Sequence, residues 1–156
     1  MGNQKSKCPF CEVVETIYNE PNEDSTDNDR VLSYNDKYAI FPDKHPAAKH
    51  HYLVVPRKHI NNPKTLEGEE YAKMVEEMYG FGKQYLESLD TAELATDARY
   101  GFHFPPFISI EHLHLHVICP ASSMNFTHTN LFRENTWYFL SPPHLAEVIR
   151  QKGSRV

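Results

Sequence analysis

The chain contains no apolar run near the roughly 18 residues that a membrane-spanning helix needs, and no secretory-type segment at its start. Cysteine is scarce, with three in 156 residues, two of them paired in Cys8-Pro9-Phe10-Cys11. So few cysteines exclude a disulfide framework. They point to a reducing compartment, cytoplasmic and also nuclear, with a metal or redox role for the pair. Positive charge is also in deficit, 16 Lys and Arg against 21 Asp and Glu, a net charge of −5. That balance excludes a non-specific nucleic-acid binder. No internal repeat occurs, which excludes a solenoid.

What remains is the composition of one compact domain. Hydrophobic content of 40% with 12% aromatics is globular rather than disordered, and this length can bury a sizeable core. The reading is a flexible stretch over residues 1–7 followed by a single domain over 8–156. Met1-Gly2-Asn3-Gln4-Lys5-Ser6 fits the pattern for N-myristoylation at Gly2, with the unmodified terminus as the alternative. A single such chain gives only weak, reversible membrane association.

The patterning along the chain predicts an α+β fold, mainly antiparallel. The acidic, polar segment from Glu15 to Arg30 reads as a surface loop. Val31–Tyr34, Tyr38–Phe41 and His51–Pro56 read as strands, with Asn35-Asp36 turning between the first two. Thr65 is the expected cap of a long helix. Its stripe is Tyr71, Met74, Val75, Met78, Phe81 or Gly82, Tyr85, Leu86 and Leu89. Tyr100–Phe104 is a fourth strand. Trp137–Leu140 and a short helix over Pro143–Gln151 close the chain.

The densest signal is Glu111-His112-Leu113-His114-Leu115-His116-Val117-Ile118. Alternation with period two predicts a half-buried strand, with His112, His114 and His116 on one face and the aliphatic residues in the core. Alternate residues on that face stand about 6.5–7 Å apart, a spacing at which two rings can grip one phosphate-sized group. Imidazole is costly to bury without partners, and solvated faces use other residues, so the pattern marks a site. A neutral imidazole, with an ordinary pKa of about 6.5, is a competent nucleophile toward phosphorus near pH 7.

His112–Ile118 resembles the alternating-histidine motif of the histidine triad superfamily of nucleotide hydrolases and transferases. His51–Ile60 is similar to that family's strand ahead of its long helix, and the resemblance runs from Cys8 to about Arg150. Gly101–Phe107, His50-His51-Tyr52 and Trp137-Tyr138-Phe139 are similar to the third group of its Hint branch. The resemblance implies an antiparallel sheet of about five strands, one long helix and a short C-terminal helix. It implies a nucleoside 5′-phosphoramidate hydrolase that cleaves the P–N bond of AMP–amine conjugates through a nucleotidyl-histidine.

Carried over residue by residue, His114 is the nucleophile and His116 the donor to the phosphate oxygens. His51 approaches from the neighbouring strand, and Ser109 contacts the phosphate or the leaving group. Asp43 would hold the ribose and Phe41 the base of a purine nucleoside monophosphate conjugate, with Lys44 where an aliphatic residue is usual. A turn residue and a core residue are the alternatives for Asp43 and Phe41. Cys8 and Cys11 would bind a structural zinc completed by His59 and His112, with no metal needed at phosphorus; without the zinc, His112 is instead a catalytic-site residue contacting the phosphate. The resemblance also implies a homodimer formed through the long helix and central strand.

His45, His103, His128 and His144 read as surface or structural residues, and His50 as the exposed neighbour of His51. Two other functions stay open. One is a non-catalytic nucleotide-binding or scaffold protein. The other is an aprataxin-like deadenylase of nucleic-acid ends, against which the acidic balance counts.

Overall fold

The computed structural model describes residues 8–19, 31–89 and 95–154. Residues 1–7, with Gly2, and residues 20–30 of the acidic segment lie outside the described residues. Helix α1 spans Pro9–Asn19, so the expected loop is helical as far as Asn19. Its start follows from local chemistry. Proline at the first helical position needs no N–H partner, and the Cys11 amide donates to Cys8 Sγ at 3.4 Å, so the thiol caps the helix. Phe10, Cys11 and Val14 are spaced along one helical face and pack on Ala39, Phe41, Leu53 and Val55.

Among the described residues six strands form one antiparallel sheet: β1 (Ser33–Tyr34), β2 (Tyr38–Pro42), β3 (His50–Pro56), β4 (Arg99–His103), β5 (Leu115–Cys119) and β6 (Phe139–Leu140). Their spatial order is β1-β2-β3-β5-β4-β6. The strand beyond the expected five, β6, is two residues long, too short for alternation to reveal. The predicted turn is present, with Asn35 Oδ1 accepting the Lys37 and Tyr38 amides, each at 2.8 Å.

Helix α2 spans Glu69–Ser88 and begins later than expected. Thr65 instead ends a tight turn over Pro63–Thr65, and Gly68 with φ 97° resets the backbone before α2 starts. The fully buried positions of α2 are Ala72, Val75, Met78, Gly82 and Leu86. Gly82, not Phe81, faces the sheet, because a Cβ there would stand 2.9 Å from Val117 Cγ2. A short helix α3 (Phe126–Leu131), absent from the sequence reading, and α4 (Pro142–Ser154) complete the fold.

Strand parity divides the sheet. Ile40, Val54, Phe102, Leu115 and Val117 join the α2 and α4 core on one face. The opposite parity puts His51, Leu53, His103 and His116 on the other face. Register locks these residues together, Leu53 opposite His116 on β3–β5 and Gly101 opposite His116 on β4–β5. Gly101 is required here, since any Cβ would overlap the Phe139 ring.

The histidine strand is shorter than the alternation that marks it. The β5 ladder begins only at Leu115. Before it, the Leu113 amide donates to Ile60 O at 2.6 Å and the His112 amide to Ile110 O at 3.0 Å. These bonds, rather than a sheet ladder, hold the segment before Leu115, yet the alternation persists, with Leu113, Leu115 and Val117 in the core and His112 and His114 both against Phe10 of α1 on the opposite side.

Candidate functional site

Two clusters of polar side chains sit on the sheet face opposite α2 and α4, close to one another. The first is Cys8, Cys11, His59 and His112, whose ligand atoms all lie within 4.8 Å of one another. His112 Nε2 lies 3.0 Å from Pro56 O, and a carbonyl can only accept, so Nε2 carries the proton. Its Nδ1 lone pair then faces both sulfurs, 3.4 Å from Cys8 Sγ and 3.4 Å from Cys11 Sγ. His59 repeats the arrangement, with Nε2 at 2.9 Å from Asn61 Oδ1 and Nδ1 at 3.1 Å from Cys11 Sγ. Two thiols and two imidazoles whose distal N–H groups are anchored form a donor set suited to tetrahedral zinc.

The second cluster lines a cleft of about 690 Å³ between α1, β2, the loop before β5, and α3. Asp43, His103, Ser109, His114 and His116 all reach it. The buried imidazoles are His51, His103 and His116, with 3%, 7% and 6% exposure, whereas fully buried His112 lies beneath in the first cluster.

Hydrogen bonds fix the protonation of each ring. The Ala47 amide donates to His51 Nδ1 at 2.9 Å, so the proton of neutral His51 is on Nε2. That N–H points to His116 Nδ1 at 2.9 Å, with Asp43 Oδ2 at 3.4 Å. His116 Nδ1 therefore accepts, and its Nε2 carries a proton. Nε2 is buried and has no partner among the described residues. It is a donor held ready for an acceptor in the cleft. In contrast, His114 Nδ1 lies 2.7 Å from His112 O, which places the proton on Nδ1 and leaves Nε2 with its lone pair. The cleft thus offers one imidazole nucleophile beside one imidazole donor, their ring centres 5.0 Å apart.

Asp43, His51 and His116 also lie within metal-ligand reach of one another. The fixed tautomer argues against a cation there, because His51 Nε2 carries a proton where a ligand needs a lone pair. This group is a hydrogen-bond relay.

Burial holds all four cleft imidazoles below their ordinary range. For His51, burial dominates over the opposing pull of Asp43, and the pKa falls to about 4. A histidine kept neutral by folding gives stability that is complete above its unfolded pKa of about 6.5. That contribution is lost as pH falls from there toward the folded value of about 4. We therefore expect the melting temperature to hold between pH 8 and 7 and to drop between pH 6.5 and 4. His51→Gln should flatten this acid limb, and an unchanged limb would remove His51 from its cause.

The other predicted residues fall around the same cleft. Phe41 is a buried wall that meets Phe10 at 5.2 Å, while Lys44 and Ser109 sit on the exposed rim. Three residues of the site were not foreseen. Phe10 stands edge-on to His114 at 5.4 Å, and Phe132 to His116 at 5.0 Å. His103, expected to be only structural, packs 5.0 Å from His116. Strand register carried the signal for His103, since it lies two residues beyond Gly101 on the same face. His45 and His128 also reach the cleft, and His144 is exposed as expected. His50 is not simply exposed. It is half-buried, its Nδ1 2.8 Å from Tyr52 Oη.

Comparison with known proteins agrees with this architecture. The family model described as "Scavenger mRNA decapping enzyme C-term binding" matches residues 13–132. The chain is 39% identical over 149 residues to "Adenosine 5'-monophosphoramidase HINT3" of Mus musculus, covering 96% of this chain and 85% of the relative. It is 39% identical over 120 residues to the HINT3 of Xenopus tropicalis, covering 77% of each. Aprataxin of Gallus gallus is 31% identical over 136 residues, 83% of this chain but 40% of that protein. Among solved structures, a histidine triad protein from Clostridium difficile superposes with TM-score 0.57 at 20% identity, over 76% of this chain and 93% of the other. The aprataxin ortholog Hnt3 in complex with DNA gives 0.62 at 20% identity, over 93% and 76%, and shares the fold. With the His-φ-His-φ-His segment on the cleft and HINT3 proteins among its relatives, the chain belongs to the histidine triad superfamily.

Proposed function

We propose that this protein hydrolyses nucleoside 5′-phosphoramidates, cleaving the P–N bond of AMP–amine conjugates through a nucleotidyl intermediate on His114. The observation that carries the proposal is the bond from His114 Nδ1 to His112 O, which directs the Nε2 lone pair into the cleft. The HINT3 relatives are named for the same activity. In the first step the His114 Nε2–P bond forms as the P–N bond breaks, and the amine takes up a proton as it leaves. In the second step water displaces His114 and the nucleoside monophosphate departs, returning one proton to solvent. His116 Nε2–H donates to a non-bridging oxygen, which supplies the acceptor that its buried proton lacks. Ser109 reaches the phosphate or the leaving group from the rim. Asp43 takes the ribose, while Phe41 and Phe10 flank the base, with Lys44 at the edge.

Zinc belongs to the other cluster. Cys8, Cys11, His59 and His112 would hold it through two sulfurs and two imidazole nitrogens. Its contribution is to fold stability and to the seating of the segment that carries His114. A homodimer is also part of the proposal, supported by half-buried Tyr79, Phe81 and Tyr85 along α2. A monomer by light scattering at micromolar concentration would refute it. Myristoylation at Gly2 and a cytoplasmic and nuclear location rest on sequence alone. Intact mass from a eukaryotic host and fractionation test them.

The direct test is incubation with adenosine 5′-phosphoramidate, with guanosine and deoxy analogues alongside. Release of AMP is expected. No release from folded protein would leave the nucleotide-binding, non-catalytic alternative.

A further inference from the structure

The histidine that the motif does not contain is held as firmly as those it does. His103 Nε2 lies 2.8 Å from Leu131 O on α3, so Nε2 donates and the proton of the neutral ring is there. The ring is clamped by Phe139 at 4.7 Å and Phe132 at 5.0 Å, and stands edge-on to His116 at 5.0 Å. Phe139 is placed by the β4–β6 pairing of His103 with Phe139, and Gly101 leaves it room. A strand, a helix carbonyl and a glycine thus all serve to seat one imidazole in the cleft wall. Its Nδ1 is left with a lone pair. It is not among the buried nitrogens without a partner, which for the described residues are His50 Nε2 and His116 Nε2. His103 keeps 7% exposure and lines the cleft.

The cleft therefore presents three differently prepared nitrogens: a nucleophile on His114, a donor on His116 and an acceptor on His103. A phosphoryl group brings only acceptors, which His116 can satisfy. An acceptor on the wall needs a donor from the substrate, and the reacting centre of a phosphoramidate has one. The nitrogen of an R–NH–P linkage carries a hydrogen that an ester, anhydride or phosphosulfate oxygen lacks.

We propose that His103 Nδ1 accepts a hydrogen bond from the N–H of the scissile P–N linkage, and so selects amine leaving groups that carry that hydrogen. With the nucleoside placed as above at Asp43, Phe41 and Phe10, and the phosphate at His114 and His116, the His103 wall is the part of the cleft lining left to the leaving group. Accepting this hydrogen also makes the linkage nitrogen more electron-rich, easing the proton uptake on which departure of the amine depends. The inference rests on the phosphoramidate reading above and adds a choice between leaving groups.

The test compares two substrates in wild type and variant. One is an AMP N-monoalkyl amidate, which has the N–H. The other is AMP morpholidate, whose nitrogen has none. Their intrinsic reactivities differ, so the readout is the change in their kcat/KM ratio. His103→Phe keeps the ring volume and removes the acceptor. It should lower kcat/KM about threefold to tenfold for the N–H substrate and leave the morpholidate nearly unchanged, as expected for one lost neutral hydrogen bond. His103→Asn, which can offer an amide oxygen, should restore part of the preference. If His103→Phe does not fold, as judged by its melt, His103→Leu replaces it in the same comparison. A ratio unchanged from wild type, or a loss equal for both substrates, overturns the role of His103. No turnover of either substrate by folded wild type overturns this role together with the phosphoramidate reading. Turnover with an unshifted ratio overturns this role alone.

Discussion

His114→Ala should abolish phosphoramidate hydrolysis, lowering kcat by at least about a thousandfold, because a covalent route cannot proceed without its nucleophile. The fold should survive. The side chain lies at the cleft surface, and Leu113 and Leu115, at 1% and 0% exposure, carry the packing of this segment. Truncation therefore opens space that the cleft already holds, rather than a core cavity. Nucleotide binding should persist within a few-fold, since Asp43, Phe41 and His116 are untouched. Titration of AMP into the variant, followed by calorimetry, separates loss of chemistry from loss of binding. Near-normal turnover in His114→Ala would mean that the nucleophile lies elsewhere.

The second large effect concerns stability. Purified protein should carry close to one zinc per chain, and Cys8→Ser with Cys11→Ser should remove it. The melting temperature should then fall by about 10 °C, which for a chain of this length corresponds to roughly 3 kcal/mol. Turnover per folded chain should change by less than about tenfold, because no atom of this cluster reaches phosphorus in the proposed reaction. The thiols matter beyond metal binding. Cys8 caps α1, and α1 carries Phe10 against His114, so the variant should also bind nucleotide more weakly. Metal analysis showing no zinc in protein prepared without chelator would end this assignment. His112 would still hold His114 through its backbone carbonyl.

Much of this arrangement is visible in the sequence, and the exceptions have physical reasons. Period-two alternation located β5, and helical spacing located α2, because both bury one face. The same alternation overstated the length of that strand, which pairs only from Leu115. The Leu113–Ile60 and His112–Ile110 bonds hold the chain before the ladder starts, and a periodicity cannot show where hydrogen bonds begin. Helix α1 was hidden because its last turn, from Glu15, runs on in sequence into the acidic, polar segment that reads as a loop, although Cys-Pro-Phe-Cys held its cap and its buried edge. His103 was read as structural because a lone histidine in a strand carries no pattern. Its importance comes from pairing, Gly101 opposite His116, and from α3 and β6, which are six and two residues long. The tautomers are the least legible feature. Four depend on a single backbone group, Ala47 N–H, His112 C=O, Pro56 C=O or Leu131 C=O, and the other two on a side chain, His51 for His116 and Asn61 for His59.

Those contacts give the cleft imidazoles distinct tasks, and the central one is the attack by His114 Nε2. It can be caught in the act. Wild-type protein mixed with adenosine 5′-phosphoramidate carrying a labelled phosphorus should be quenched in base within the first turnover, digested, and mapped by mass. The account predicts one AMP group per active chain, stable in base, lost in mild acid, and located on His114. Label on another residue, or full turnover with no trapped nucleotide and direct attack by water, would contradict it.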